Sequence, residues 1–173
     1  MKKQNIKLSK NFTLYEYMQG TAMSVQAVEL AWRDFTEDNL NAIKEFIPEL
    51  EDIRTYVNTI YVSNVIPDKE IGIVITSGFR SIDWEKKQGR SGDSQHTICA
   101  VDLQFSNVSK ELNVKIIFDI FSKYNNEKYM GGLAIKKPTI CNTKISNVGF
   151  IHLDPREPTK EQVKRGYGAR WIY

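Results

Sequence analysis

At 173 residues the chain has the length of one ordinary domain and leaves no room for a string of independent modules. Its 41% hydrophobic and 11% aromatic residues suffice for a core, and 26% charged residues spread along the chain exclude a disordered polymer. The 24 Lys and Arg against 21 Asp and Glu leave a net charge of +3, too small to demand a nucleic-acid partner.

The opening MKKQNIKLSKNF is basic but has no apolar stretch behind it, and nowhere do about eighteen apolar residues run together. Neither a secretory signal nor a membrane span is expected, so the reading is synthesis in the cytoplasm with no membrane partner. Cys99 and Cys141 are too few for a disulfide framework and read as small buried hydrophobes.

A short helix is expected within Leu14 to Trp32, and a long one from Thr36 to Tyr61. The second carries Leu40, Ile43, Ile47, Leu50, Ile53 and Val57 at spacings of three and four, which is one apolar stripe. Thr36 reads as its N-cap, Glu37 and Asp38 suit its first turn, and Pro48 should kink or split it. From Ile71, IGIVITS is β-branched, bounded by Asp68 and Gly78, and reads as a buried strand. The polar stretch between Arg80 and His96 reads as exposed irregular loop.

CAVDLQF resumes a strand, with Cys99, Val101, Leu103 and Phe105 on one face and Ala100, Asp102 and Gln104 on the other. A helix over Val108 to Tyr124, a strand over Gly131 to Ile135 and a last strand in VGFIHLD follow, and the chain closes on the basic, aromatic GYGARWIY. Helices first and strands later predict one α+β domain, with N-terminal helices over 1–66 packed on a small, mainly antiparallel sheet within 71–173.

His96 and His152, the two histidines of the chain, each lie beside a strand with an acid nearby. A catalytic zinc needs about three protein ligands and one open position, and His96, Asp102 and His152 supply a suitable set of two imidazoles and a carboxylate. A thiolate at Cys99 is a second candidate donor, although strand alternation turns it away from Asp102. Trp32, Trp84 and the tyrosines around Tyr15 read as core or groove walls. No phosphate-cradling glycine loop is present.

ITSGFRS, then SQH followed by AVD, then GFIHLD and finally GARW resemble the successive motifs of the zinc D-alanyl-D-alanine carboxypeptidase family. That family includes VanX-type dipeptidases and phage endolysin peptidases, and it shares its core with the hedgehog signalling domain. LSKNFTLYEYMQGTA is similar to the segment that opens many members. The resemblance implies that His96, Asp102 and His152 bind Zn2+, that Arg80 sits beside the metal, and that Ser94 matches the serine two places before the first ligand. A guanidinium there would hold a substrate carboxylate or a developing oxyanion.

The chain departs from the family pattern in two places. The family motif S-x-H-x-x-G-x-A-x-D has one more residue between histidine and aspartate than SQHTICAVD, and one extended residue is worth ~3.3 Å. Where relatives place an acid before the last histidine, this chain has Ser146, Asn147 and Gly149. Asp154, two residues beyond His152 and on the same strand face, is then the expected proton carrier or partner of that histidine.

The expectation is a zinc metallopeptidase cleaving the stem peptides of bacterial peptidoglycan, as a D,D-carboxypeptidase or an L-alanyl-D-glutamate endopeptidase. It would be phage-associated, acting at the cell wall after release or as a virion component among other virion proteins. The competing expectation is a virion or wall-binding protein that keeps the fold without turnover. Nucleic acid is not expected: Lys160, Lys164, Arg165 and Arg170 near Tyr167 and Trp171 read as solvated cations around a packed tryptophan.

Overall fold

The computed structural model describes residues 5–62, 70–157, 159–166 and 168–173. Asp68, expected to bound the first strand, the end of the expected 1–66 helical part and Tyr167 of the tail lie outside these described residues. Two compact units make up the chain: Met1–Glu51 with Ile75–Val101, and Asp52–Val74 with Asp102–Tyr173. The α+β class expected from the sequence is the one observed.

In the first unit, Thr13 caps α1 (Leu14–Gln19) with a reciprocal Thr13–Glu16 box, and Ser24 caps α2 (Val25–Asp34). The expected single helix here is therefore two. Thr36 does cap α3 (Glu37–Tyr61), whose residues from Asp52 on belong to the second unit, since its hydroxyl accepts from the Asn39 N–H and the Asn39 side chain accepts from the Thr36 N–H. Pro48 lies inside α3, which neither splits nor ends there. It removes one backbone donor, whereas Ile43, Ile47, Leu50, Ile53 and Val57 are all buried, each contributing roughly 1.5–3 kcal/mol.

The chain between α1 and α2 runs beside β1 (Gly72–Ser77): Thr21 and Ala22 donate to the carbonyls of Ile75 and Thr76 at 3.0 and 2.8 Å. Of β1 only Ile75 and Thr76 are buried, so it is less enclosed than expected. The stretch expected as loop contains a helix, α4 (Ile82–Lys87), capped by Ser81, and a 3-10 turn over Gln95–Thr97, capped by Ser94. Trp32, Phe35 and Phe79 stack edge to face at 6.3 and 5.3 Å in the core between these elements, and Tyr15 reaches Trp32 from outside.

The second unit holds most of a five-stranded sheet in the order β1, β2 (Val101–Ser106), β6 (Phe150–Asp154), β3 (Gly132–Lys136), β7 (Arg170–Ile172). β3 pairs antiparallel with β6 and parallel with β7. On one face, Leu133 and Ile135 stand opposite Leu153 and Ile151, and all four are buried beneath α5 (Lys110–Asn126) with its Ile116, Ile117 and Ile120. Alternation then turns Phe150, His152 and Asp154 to the other face. An exposed hairpin of β4 (Thr139–Cys141) and β5 (Lys144–Asn147) stands apart from this sheet, and α6 (Lys160–Arg165) precedes β7. Cys99 is buried as expected, but Cys141 is exposed, because it lies on that hairpin.

Candidate metal centre

His96 lies in the 3-10 turn of the first unit and is 2% exposed. Its Nδ1 is 2.8 Å from the Gly78 carbonyl, which can only accept, so the ring proton sits on Nδ1 and Nε2 keeps its lone pair. The Arg80 N–H donates to the His96 carbonyl at 2.8 Å, so the Gly78–Arg80 backbone and the His96 residue hold each other at both ends. Ser94, matched to a family serine, uses its hydroxyl to accept from the His96 N–H at 3.3 Å. Its carbonyl takes the Thr97 hydroxyl at 2.7 Å, so in this structure Ser94 shapes the turn that carries His96.

The residue missing from the family spacing is absorbed just after this turn. The Gln95 carbonyl accepts from the N–H groups of Ile98, Cys99 and Ala100 at 3.0–3.1 Å, and extended chain begins only at Val101. Cys99 is thus outside β2, not its first residue as expected. Its thiol-bearing residue is 2% exposed, and its carbonyl accepts from the Tyr17 hydroxyl.

In the second unit, Asp102 Oδ1 lies 2.8 Å from His152 Nδ1, and Asp154 Oδ2 lies 3.0 Å from His152 Nε2. One imidazole is held between two carboxylates. Burial lowers the His152 pKa, but the bonds and charge of Asp102 and Asp154 more than offset it, so the net shift is upward from the ordinary histidine value.

Asp154 itself is fully enclosed at 0% exposure. Arg156 grips it with Nε at 2.7 Å and Nη2 at 2.5 Å, while the N–H groups of Gly132 and Arg156 reach Oδ1 at 3.2 and 3.1 Å. Burial alone would raise its pKa, yet the Arg156 and His152 bonds and charges hold the carboxyl well below the usual range. A carboxylate so fully engaged is poorly matched to accepting a proton near neutral pH, and its geometry is that of a partner fixing His152.

The sheet register builds this cluster. Gly132 stands opposite Asp154, and a Cβ there would lie 2.3 Å from Asp154 Oδ2, so only glycine leaves space for the carboxylate and its guanidinium. Ala134 stands between His152 on β6 and Trp171 on β7, and its small side chain lets the two rings approach to 5.3 Å across it. Arg156 lies over the Trp171 ring at 5.1 Å. The packed tryptophan was expected, but Arg170 is not a solvated cation: its guanidinium donates to the carbonyls of Gly131, Ala169 and Tyr129. Lys160, Lys164 and Arg165 on α6 are exposed.

Two functional features escaped the sequence reading. The Gly78 carbonyl carries no side-chain signature, and Arg156 sits outside the quoted motifs, although an Arg two residues beyond an Asp on a strand end is a detectable pairing signal. Among the described residues no helix is long and apolar enough to cross a membrane.

Residues 68–123 match the family model described as Peptidase M15. No curated protein and no solved structure matches the chain. The match spans the stretch from β1 through most of α5, which carries Arg80, His96 and Asp102, and it ends before His152.

Proposed function

We propose that the chain is a zinc metallopeptidase acting on the stem peptides of bacterial peptidoglycan, as a D,D-carboxypeptidase or an L-alanyl-D-glutamate endopeptidase. The observation that carries this reading is the state of the two histidines. Each is buried and held by oxygen: His96 has its Nδ1 on the Gly78 carbonyl, and His152 has Asp102 at Nδ1 and Asp154 at Nε2. A metal would take Nε2 of His96 and Nδ1 of His152, the latter in place of its 2.8 Å contact with Asp102 Oδ1.

In this reading Asp102 would supply the carboxylate, and His96 and His152 one imidazole nitrogen each. Two imidazoles and a carboxylate suit zinc and leave a fourth position for water or substrate. Zinc held there would supply a water acidified toward neutral pH and a Lewis acid for the scissile carbonyl. Arg80 would hold the substrate carboxylate or meet the oxyanion, Ser94 keeps the His96 turn in place, and Asp154 with Arg156 fixes the orientation of His152. The likeness to phage endolysin peptidases supports a lysis enzyme or a virion component that opens the wall.

A second reading, a wall-binding module without turnover, is favoured by one observation: Asp154 is fully engaged by Arg156 and His152, while Ser146, Asn147 and Gly149 stand where relatives carry an acid. Metal analysis of the purified protein, combined with mass spectrometry of stem peptides incubated with it, separates the two. About one zinc per chain with chelator-sensitive cleavage supports the peptidase, and the mass of the products gives the bond cut. Wall material bound without cleavage at full zinc content overturns it.

A further inference from the structure

Glu85 on α4 was not singled out by any motif, yet its side chain is 1% exposed. One oxygen, Oε1, takes Arg80 Nη1 at 3.0 Å and Arg90 Nη1 at 2.8 Å. The other, Oε2, is buried and has no hydrogen-bond partner among the described residues. Withdrawing a carboxylate from water is costly, and leaving one of its oxygens unbonded adds to that cost, so the site holds more buried charge than packing needs.

The two arginines differ in how much they depend on Glu85. The Arg90 side chain is 51% exposed and can be solvated by water, whereas that of Arg80 is 16% exposed. The Arg80 backbone is pinned as well, through its N–H to the His96 carbonyl. With the backbone fixed at one end and Nη1 at the other, the long side chain between them loses its freedom to swing. Six residues of helix, begun by the Ser81 cap, bring the carboxylate to that place.

We infer that Glu85 is a positioning residue that holds the Arg80 guanidinium in the orientation from which it meets a substrate carboxylate or developing oxyanion. This rests on the role given to Arg80 in the proposed peptidase. A planar guanidinium anchored at one nitrogen presents its fork in a fixed plane, and an anion recognised by paired hydrogen bonds is sensitive to that plane.

The test is a double-mutant cycle of Glu85→Gln and Arg80→Ala in the zinc-loaded protein, reading kcat and KM on stem peptide. It is accompanied by side-chain Nε–Hε NMR of arginine in the zinc-free protein. Glu85→Gln should lower kcat/KM tenfold or more at unchanged zinc content, and shift or broaden the Arg80 signal. The double variant should be no slower than Arg80→Ala alone, and Glu85→Asp should recover part of the loss. Should Glu85→Gln fail to fold, the same cycle is read with Glu85→Asp. Losses that multiply in the double variant, or wild-type kcat/KM in Glu85→Gln beside an impaired Arg80→Ala, overturn the inference alone. Full activity in Arg80→Ala overturns the role of Arg80 and the inference with it.

Discussion

Asp154→Asn distinguishes two roles that the same residue could serve on the same strand face. The substitution keeps the shape, and the amide oxygen can still accept from His152 Nε2, now at 3.0 Å without a negative charge behind it. Its NH2 group then takes the Oδ1 position and turns donors toward Arg156 Nε at 2.7 Å and the N–H groups of Gly132 and Arg156 at 3.2 and 3.1 Å, so those contacts become repulsive. If Asp154 fixes and charges His152, zinc affinity should fall about 10–100-fold, equivalent to about 1.4–2.8 kcal/mol. Activity should then return largely when zinc is raised to saturation. A lost proton carrier would instead leave the zinc Kd unchanged and cut kcat by roughly 10²–10⁴. Competition against a chromophoric chelator gives the Kd, and turnover at saturating zinc gives kcat. An unchanged Kd with a collapsed kcat would refute the assignment of Asp154 to His152.

Gly78→Ala should destabilise the protein by about 3 kcal/mol in urea unfolding, because the new Cβ would lie 2.0 Å from the Tyr17 carbonyl and backbone has nowhere to yield. Asn113→Ala should cost a comparable amount, about 2–4 kcal/mol, since the Asn113 amide satisfies both the N–H and the carbonyl of buried Phe105 at 3.2 and 2.7 Å. A small serine in its place should not rescue the loss, as it cannot span both groups. In the native protein a thiol reagent should label one of the two cysteines at once, Cys141, and reach the other, Cys99, only on unfolding. Peptide mapping of the labelled site checks the order.

Some elements could be read from sequence because a single period dominated them. The stripe from Leu40 to Val57 gave α3 almost to the residue, and VGFIHLD gave β6, with Asp154 on the face of His152. α4 was missed because it is six residues long and buries Glu85 rather than an apolar stripe. Ser81 followed by Asp83 in the first turn was the available signal. The β4–β5 hairpin was missed because nearly all of it is exposed, which erases alternation, and its turn residues Asn142 and Thr143 take positive φ although Thr rarely does. In the site, side-chain donors were legible through the motifs, whereas the acceptors that fix both histidines were not. The Gly78 carbonyl is backbone, and the engagement of Asp154 depends on the register that sets Gly132 against it.

The shortened His96-to-Asp102 spacing shows how a deletion of that kind is tolerated. Taken from an extended strand, one residue would displace a ligand by ~3.3 Å and, worse, reverse every side chain beyond it from one face to the other. Here the chain between them is not extended. Ile98 has φ −115 and ψ −80, outside both helix and strand, and three successive N–H groups converge on the Gln95 carbonyl. Wound chain has no two-residue period, so its length can change by one without transmitting a face reversal. The period starts at Val101, and from there Val101, Leu103 and Phe105 are buried at 0%, 0% and 3% on one face while Asp102 and Gln104 take the other. The face of Asp102 is therefore decided by the apolar residues of β2 that must reach the core, and the distance back to His96 is decided separately by how tightly the Gln95 turn is wound.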